Sequence, residues 1–283
     1  MQPHAKVQPY LGFQVLFDFS NITDAIAFAR AHGFGVLELN LGNISFTRQL
    51  ASARERARIR AAAKRDAITL ALHAVDGPSF FIPSDRVRKC AVRELKLQLD
   101  WAESIGARDV VAHLGADMDY SMDGAKRGLH EEFPEYYRAV LTDSLAELKE
   151  HARNRARLCI ENVTGFRYPS TMATLARLLG GNLGLCLDVG HVNVLPPDKR
   201  RKELAFFRRY RRYIFHSHIH DNSGLRDEHL VPGQGRIDFV PFFRLLAGTD
   251  ALIVFEVRPK EAAIASRDYF ERVIAPRLRS LRS

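Results

Sequence analysis

Residues 183–191, LGLCLDVGH, and residues 214–221, IFHSHIHD, share one plan: a short apolar run that ends in acidic or histidine side chains. Apolar runs of this length, rich in Leu, Ile and Val, are typical of parallel strands that are buried on both faces. Six more such runs lie on either side of these two. The eight predicted strands are residues 14–19, 36–41, 69–74, 109–115, 158–163, 183–189, 214–219 and 252–257.

Longer amphipathic stretches separate the apolar runs, and an eighth stretch follows the last run. The predicted helices are residues 22–32, 48–65, 85–105, 131–154, 171–179, 198–210, 239–247 and 261–281. Such an alternation of strand and helix is typical of a parallel β/α architecture. We predict the α/β class with a single (β/α)8 TIM barrel over residues 1–283, because eight full units favour closure over an open doubly wound sheet.

The composition is that of a folded globular protein, since 46% of the 283 residues are hydrophobic and 27% are charged. The formal net charge is +9, and basic residues concentrate in residues 54–65, 153–157 and 199–212. Such a charge could serve a nucleic-acid or phosphate partner. Charge runs are more often the solvated faces of helices, and we favour that interpretation here.

The three cysteines, Cys90, Cys159 and Cys186, form no CxxC pair, and their odd number argues against a disulfide framework. Cys159 and Cys186 lie in apolar runs and are expected to be reduced core residues. The first twenty residues lack the pattern of a signal peptide, and no apolar run reaches the ~18 residues of a membrane span. A cytoplasmic protein without a membrane partner is therefore expected.

The longest predicted loops, residues 75–84, 116–130 and 221–238, each follow a strand. In a barrel such connections form the face on which active sites lie. Histidine and acidic side chains interrupt the apolar runs near this face. Nine such residues lie at the strand ends or in the loops that follow them: His73, His113, Glu161, Asp188, His191, His218, Asp227, His229 and Glu256.

Side chains alternate along a strand, so these groups converge at one end of the barrel if their faces point inward. A buried carboxylate without a partner is costly. A cluster of carboxylates and imidazoles from several strands is better explained by a metal than by separate ion pairs. The sequence therefore predicts a metal site at the C-terminal ends of the strands.

Three further residues have more than one interpretation. His216 and His220 have the same parity as His218 but lie a layer below and above it, and single histidines in such places are more often hydrogen-bonded core or rim residues than ligands. Glu38, in the second predicted strand, could orient a ligand, bind substrate or pair with a neighbouring Lys or Arg. The chain contains neither GxxxxGK[ST] nor GxSxG, so nothing points to a P-loop or a nucleophile elbow.

The segments IENV, LDVGH, HIHDN, DEHLVPGQGRID and FEV together resemble the xylose isomerase-like TIM-barrel superfamily, which contains sugar isomerases and epimerases together with endonuclease IV. The resemblance spans nearly the whole chain. In the isomerase branch it implies one divalent metal, Mn, Mg or Co, held by Glu161, Asp188, His218 and Glu256. The two Glu of this set would also act as acid and base.

In the endonuclease branch the resemblance implies three zinc ions, held by all nine residues named above. Several segments depart from that branch. Endonuclease IV sequences usually have Gly-Gln-Gly soon after the Glu of the fifth strand, where this chain has VTGFR at residues 163–167, and Cys-His with Ala-Ala-Gly-Tyr after the sixth, where it has VGHVNV at residues 189–194. The resemblance therefore leaves between one and three metal ions open.

The resemblance favours a sugar or sugar-phosphate isomerase or epimerase that works through an enediolate, with Glu161 and Glu256 as the catalytic pair. Substrate contacts are expected from Glu38, His191 and Arg258, the last because an Arg fork suits a phosphate. The alternative is a multi-zinc phosphodiesterase acting on nucleic acid. A barrel that has lost catalysis is a third interpretation, which the presence of both Glu residues disfavours. Barrels of this group often form homodimers.

Overall fold

The computed structural model describes residues 8–279, and in it eight parallel strands close into a barrel. The predicted (β/α)8 barrel is therefore confirmed. The barrel order is β1-β2-β3-β4-β7-β8-β9-β10, with β10 paired to β1. The strands are β1 (Gln8–Val15), β2 (Phe34–Asn40), β3 (Thr69–His73), β4 (Asp109–Ala112), β5 (Asp119–Met122), β6 (Ala125–Gly128), β7 (Arg157–Glu161), β8 (Leu183–Asp188), β9 (Ile214–Ile219) and β10 (Leu252–Phe255).

Helices surround the barrel and pack their apolar faces against it. Several begin at capping residues, as at Asn21, whose side chain accepts a hydrogen bond from the backbone N–H of Thr23 at 2.9 Å. The helices are α1 (Ile22–Ala31), α2 (Ile44–Ala51), α3 (Ala53–Asp66), α4 (Asp85–Ile105), α5 (Leu129–Glu132), α6 (Pro134–His151), α7 (Pro169–Leu178), α8 (Val189–Asn193), α9 (Pro197–Arg209), α10 (Val240–Leu246), α11 (Lys260–Tyr269) and α12 (Ala275–Arg279).

The register of the barrel brings polar strand ends together. Asp188 at the end of β8 pairs in register with His218 of β9, and Glu161 at the end of β7 pairs with Cys186 of β8. Cys159 and Cys186 are fully buried, as expected for core residues, whereas Cys90 is exposed. Chain segments that are distant in sequence thus meet at one end of one sheet.

The first strand differs from its prediction, because it spans Gln8–Val15 and not residues 14–19. The apolar residues Leu16 and Phe17 suggested a later strand, but Phe17 is 77% exposed and lies at the rim of the barrel. Apolar side chains at a rim produce the same sequence pattern as those of a strand end. The pattern alone could not separate the two.

Two predicted helices are each interrupted once. Residues 48–65 belong to α2 and α3, which are separated at Ser52, and the Ser52 hydroxyl accepts from the backbone N–H of Glu55 at 3.4 Å. Residues 131–154 belong to α5 and α6, which are separated at Phe133. Pro134 begins α6, because proline fits the first helical turn but not a helix interior.

The predicted loop of residues 116–130 contains the hairpin β5–β6. Its turn is Asp123-Gly124, both of which have positive φ (50° and 76°), as a tight two-residue hairpin turn requires. A second unpredicted element is α8, which begins directly after β8. The Asp188 carboxylate accepts from the backbone N–H of His191 at 2.6 Å, so the same aspartate ends the strand and caps the helix.

None of the helices within residues 8–279 combines the length and the apolar composition that crossing a bilayer requires.

Candidate metal centre at the C-terminal end of the barrel

A cavity of about 540 Å³ opens at the C-terminal ends of the strands. Seven of the nine predicted residues line it, all except Asp188 and His218. The residues that line it are Leu16, Phe17, Asn40, Gly42, His73, Asp76, His113, Glu161, Val163, His191, Asp227, His229, Glu256 and Arg258.

Glu161 is the centre of the cluster and is 1% exposed. One carboxylate oxygen, Oε2, lies 3.3 Å from Nε2 of His73 and 3.0 Å from Nε2 of His113. The other, Oε1, lies 3.3 Å from Nδ1 of His191 and 3.4 Å from Nδ1 of His218. A carboxylate with imidazoles at both oxygens can bridge two ions.

The first group of donors surrounds His218. Its Nδ1 lies 3.4 Å from Glu161 Oε1, 3.7 Å from Asp188 Oδ2 and 3.1 Å from Glu256 Oε2. In a tetrahedral site with bonds of about 2.1 Å, neighbouring donors are about 3.4 Å apart. His218 Nδ1 is buried and makes no hydrogen bond. Three carboxylates around an unpartnered nitrogen fit a divalent cation.

The second group consists of His73 and His113 with Glu161 Oε2. Each ring is held by its other nitrogen: His73 Nδ1 lies 3.0 Å from the carbonyl oxygen of Ala74, and His113 Nδ1 lies 2.9 Å from Asp76 Oδ1. Such contacts fix the orientation of a ligand ring and are usual behind metal-binding histidines. Both Nε2 atoms therefore point at the shared carboxylate.

The third group is built on the loop after β9. Asp227 Oδ2 lies 3.1 Å from Nε2 of His191 and 3.1 Å from Nε2 of His229. His229 Nδ1 lies 2.9 Å from the backbone carbonyl oxygen of Glu256, which orients the ring. All nine predicted residues are thus brought together, in three groups that meet at Glu161 or at His191.

The electrostatics of the cluster follow from its mixed donors. Burial lowers the pKa of His113, but Glu161 and Asp76 outweigh it and raise that pKa to about 10. Burial also lowers the pKa of His229, and Asp227 and Glu256 together more than compensate, so that the pKa rises to about 9. Without a metal, these rings balance the carboxylates by holding protons.

The pKa values of the carboxylates shift in the opposite direction, downward. Burial raises the pKa of Glu161 and of Glu256, but His218 and the other neighbouring histidines together lower both by more, so that each pKa falls below its ordinary value. Both groups are therefore ionised near neutral pH, which is the form that binds a cation or accepts a proton.

Two of the residues predicted to contact substrate, Arg258 and Glu38, lie at different depths in the barrel. Arg258 lines the cavity, and its guanidinium donates to Gln14 and lies 3.5 Å from Glu256 Oε1. Glu38 is fully buried one layer below the cavity. Its side chain contacts His216 and His218 and does not face the open space from which a substrate would approach.

His220 lies directly beside the candidate site and is a buried, hydrogen-bonded histidine, as its sequence position indicated. Its Nε2 lies 3.2 and 3.1 Å from the two oxygens of Asp188, and its ring stacks on His229 with centroids 4.0 Å apart. Gly190 makes room for it, since a Cβ there would lie 1.9 Å from the ring. Two features of the sequence could have indicated this position of His220: the glycine in LDVGH, and the fact that His220 has the same strand parity as His218.

The basic residues are mostly elsewhere. Among the described residues that line the cavity, Arg258 is the single Lys or Arg. Residues 153–157 and 208–212 directly precede or begin β7 and β9, so they lie at the opposite, N-terminal end of the barrel. The net positive charge is therefore not concentrated around the cavity.

Comparison with known proteins gives one family and several structures of the same fold. The family model for the xylose isomerase-like TIM barrel matches residues 26–273. Among curated proteins, the uncharacterized protein y4fM of Sinorhizobium fredii is 26% identical over 71% of this chain and 63% of its own length. The chain thus spans less than two thirds of the length of that relative.

Solved structures agree on the fold. A D-tagatose 3-epimerase-like protein superposes with a TM-score of 0.77 at 20% identity, covering 97% of this chain and all of its own. The IOLI protein with a bound zinc atom gives 0.72 at 17% identity, covering 94% of this chain and 98% of its own. Endonuclease IV from Thermus thermophilus gives 0.64 at 18% identity, covering 94% and 100%. The match of the family model over most of the chain shows that this protein belongs to the xylose isomerase-like TIM-barrel family.

Proposed function

We propose that this protein is a divalent-metal-dependent isomerase or epimerase of a sugar or sugar phosphate. The observation that carries the proposal is a cavity of about 540 Å³ with two ionised carboxylates, Glu161 and Glu256, at its floor. That volume lies in the usual range of small-molecule sites. Both carboxylates approach the same nitrogen, His218 Nδ1, at 3.4 and 3.1 Å.

The donor groups offer from one to three cation sites, and the group of Glu161, Asp188, His218 and Glu256 is the one that the proposal requires. Its three carboxylates and one imidazole suit Mn²⁺, Mg²⁺ or Co²⁺ as well as Zn²⁺. When bound, the ion would polarise a substrate carbonyl and stabilise the negative charge that develops on it.

The chain itself would move the proton. We assign Glu256 as the base, because a histidine approaches only one of its oxygens and Arg258 of the cavity lining approaches the other, whereas histidines approach both oxygens of Glu161. Glu256 would take the proton from the carbon next to the carbonyl and leave an enediolate. Glu161 is ionised, so the proton returned to the opposite face would come from the neighbouring His113, whose pKa is raised to about 10, and would pass through the Glu161 carboxylate. Solvent would then take the proton from Glu256 and restore the one on His113.

Arg258 and His191 would hold the rest of the substrate. Arg258 lies at the rim with its fork anchored on Gln14, and it can bind a hydroxyl or a phosphate. His191 lines the same cavity, and its buried Nδ1 makes no hydrogen bond in the protein. The D-tagatose 3-epimerase-like neighbour makes ketoses and their phosphates the first substrates to examine.

Solvent exchange tests the proposal directly. Metal-loaded protein is incubated in D₂O with a panel of ketoses and ketose phosphates, and deuterium at the carbon next to the carbonyl is followed by NMR. The proposal predicts exchange with at least one member and none in a Glu256→Gln control. Absence of exchange across the panel, with the metal bound, would contradict it.

A second candidate is a multi-zinc phosphodiesterase that acts on nucleic acid. The arrangement of all nine donors in three connected groups favours it, because two or three ions in contact distance can activate water and steady a leaving oxygen. The scarcity of cations around the cavity disfavours it, since nucleic-acid binding depends on phosphate contacts.

Metal analysis separates the two candidates. About one Mn or Mg per chain supports the isomerase, and about three Zn per chain together with cleavage of an abasic-site oligonucleotide supports the phosphodiesterase. A homodimer is part of the proposal in either case, and light scattering during size-exclusion chromatography tests it.

A further inference from the structure

A line of charged groups runs through the interior of the barrel, from the metal centre to the opposite end. Its members are Glu38, His216, Asp109 and Arg157, which we call the axial network. Glu38, His216 and Asp109 are all 0% exposed. Barrel interiors are normally filled by branched apolar side chains, and burying charges is costly unless each is well paired. A feature with that cost calls for a role.

The members of the network are in contact from one end to the other, and the link between Glu38 and His216 Nε2 is a close ion-pair contact, not a hydrogen bond. His218 Nε2 lies 3.2 Å from Glu38 Oε1, and Glu38 Oε2 lies 2.7 Å from His216 Nε2. His216 Nδ1 then lies 3.2 Å from Asp109 Oδ2. Arg157 donates to both oxygens of Asp109, at 2.6 and 2.9 Å. Each buried group therefore has a charged or polar neighbour on both sides.

Further contacts hold the two ends. At the upper end, the Gln14 amide donates to Glu38 Oε1 at 2.8 Å, so the carboxylate is held from three directions. At the lower end, Arg157 also contacts Asp250 Oδ2 at 3.0 Å and the carbonyl oxygen of Phe215 at 3.1 Å. The network is thus built from four barrel strands that are far apart in sequence.

The consequence falls on His218. A carboxylate at Nε2 favours the ring form that carries its proton on Nε2, which leaves Nδ1 as the bare donor. Nδ1 is the atom that faces Glu161, Asp188 and Glu256. Within the described residues, His218 Nδ1 makes no hydrogen bond.

We propose that Glu38 is a positioning residue, which together with His216, Asp109 and Arg157 holds His218 with Nδ1 toward the metal and so raises the affinity of the centre. The inference rests on the metal-binding part of the proposed function and not on the substrate. It implies that Asp109 and Arg157, at the far end of the barrel, contribute to metal affinity.

The first test is Glu38→Gln, which keeps the side-chain size but replaces one acceptor oxygen with an N–H donor. Zn²⁺ affinity of the metal-free protein is measured by competition with a chromophoric chelator. Loss of a partner behind a ligand histidine typically weakens metal binding by about tenfold to hundredfold. We expect a loss in that range, and an unchanged Zn²⁺ affinity in a folded variant would overturn the proposal.

The second test acts at the opposite end of the network, at Arg157. Arg157→Lys keeps the charge but removes the fork that holds both oxygens of Asp109. A severalfold loss of Zn²⁺ affinity is expected. The matched control is Arg155→Lys, because Arg155 lies two residues away and pairs with Asp100 and Glu103 instead. Equal Zn²⁺ affinities of Arg157→Lys and Arg155→Lys would show that Arg157 does not influence the metal centre through the network.

The third test needs no variant. Protein labelled with ¹⁵N is loaded with ¹¹³Cd²⁺, and the nitrogen of His218 that couples to the metal is identified by NMR. The proposal requires coupling at Nδ1 and a slowly exchanging proton on Nε2. Coupling at Nε2 would overturn it, whatever the variants do.

The outcomes separate this inference from the proposed function. If wild-type protein binds no divalent ion, the proposed function fails first. If wild-type binds and Glu38→Gln binds equally well, only the positioning role fails.

Discussion

The two ends of the barrel contain the same kinds of acid but different partners. At the N-terminal end, Asp109 and Asp250 meet Arg157, whose fork donates to both oxygens of the buried Asp109. At the C-terminal end, Glu161 and Asp188 meet mainly imidazoles, and the ring nitrogens His191 Nδ1 and His218 Nδ1 make no hydrogen bond. An arginine is a permanent cation, whereas a histidine balances an acid only while it is protonated.

The difference teaches that charge pairs at the two ends serve different purposes. The arginine pairs are complete without any ligand and hold the strands together. The histidine cluster is complete only with protons or with a cation from outside. This contrast predicts that substitutions at the C-terminal end change metal binding and turnover, whereas substitutions at the N-terminal end change little unless they touch the axial network.

The largest effect is expected from Glu161→Ala, because this one carboxylate contacts four histidines. Its loss removes a metal ligand and an acid–base group together, so turnover should fall by more than about 10⁴-fold. Metal content by mass spectrometry should fall as well. The control Glu147→Ala changes an exposed Glu that pairs with Lys96 and should alter neither. Full metal content in Glu161→Ala would contradict the proposed difference between the two ends of the barrel.

The next effect is expected from Glu256→Gln. The amide oxygen can still face a metal, but the group can no longer take a proton, so turnover should fall by about 10²- to 10⁴-fold while metal stays bound. Steady-state kinetics together with metal content check this. Near-normal turnover in the metal-loaded variant would show that Glu256 is not the base.

A smaller effect is expected from Gly190→Ala. The added Cβ would lie 1.9 Å from the His220 ring, so the ring must move away from Asp188. Overpacking of this kind typically lowers the free energy of unfolding by about 1–3 kcal/mol. The double variant Gly190→Ala/His220→Ala should recover part of that stability in urea denaturation, because the clashing ring is gone. No recovery would place the strain elsewhere.

The metal-free protein should also respond to pH. The pKa of His113 is raised to about 10 and that of His229 to about 9 in the folded protein. A raised pKa stabilises the fold most fully below the unfolded value of about 6.5, and the contribution is lost as pH rises through the folded values. Unfolding free energies of chelator-treated protein should therefore decrease between pH 7 and pH 10. Saturating metal should reduce this dependence, because bound rings carry no extra proton.

The smallest effect is expected at the other end of the barrel. Asp250 is exposed over 66% of its side chain, so Asp250→Asn removes a solvent-screened partner of Arg108 and of Arg157. Such pairs contribute about 0–1 kcal/mol. Thermal unfolding should change little and Zn²⁺ affinity should not change at all. A clear loss of Zn²⁺ affinity would show that the axial network extends to Asp250.

The convergence of the nine candidate residues at one end of the barrel could be predicted from the sequence because their signal is local. Each is a polar group at the end of an apolar run or in the loop that follows one, and parallel strands bring their ends together. The third strand, for example, ends at His73, and the fourth ends at Ala112, directly before His113, as the pattern indicated.

The axial network could not be predicted in that way. Glu38 and His218 are 180 residues apart and meet across the barrel, so no periodicity within either strand specifies the contact. Asp109 begins its strand and looks like any polar boundary residue. For His220, parity gave the correct face but could not show that Asp188 lies beside it. Phe17 is apolar but exposed, and its apolar character caused the first strand to be predicted too close to the rim.

The measurement that tests the central claim most directly is a titration of metal-free protein with Zn²⁺ and with Mn²⁺ by isothermal calorimetry, in two buffers of different ionisation enthalpy. The claim predicts at least one tightly bound ion per chain, and release of protons as the ion replaces those held by the histidines. A chain that binds neither ion stoichiometrically would contradict it.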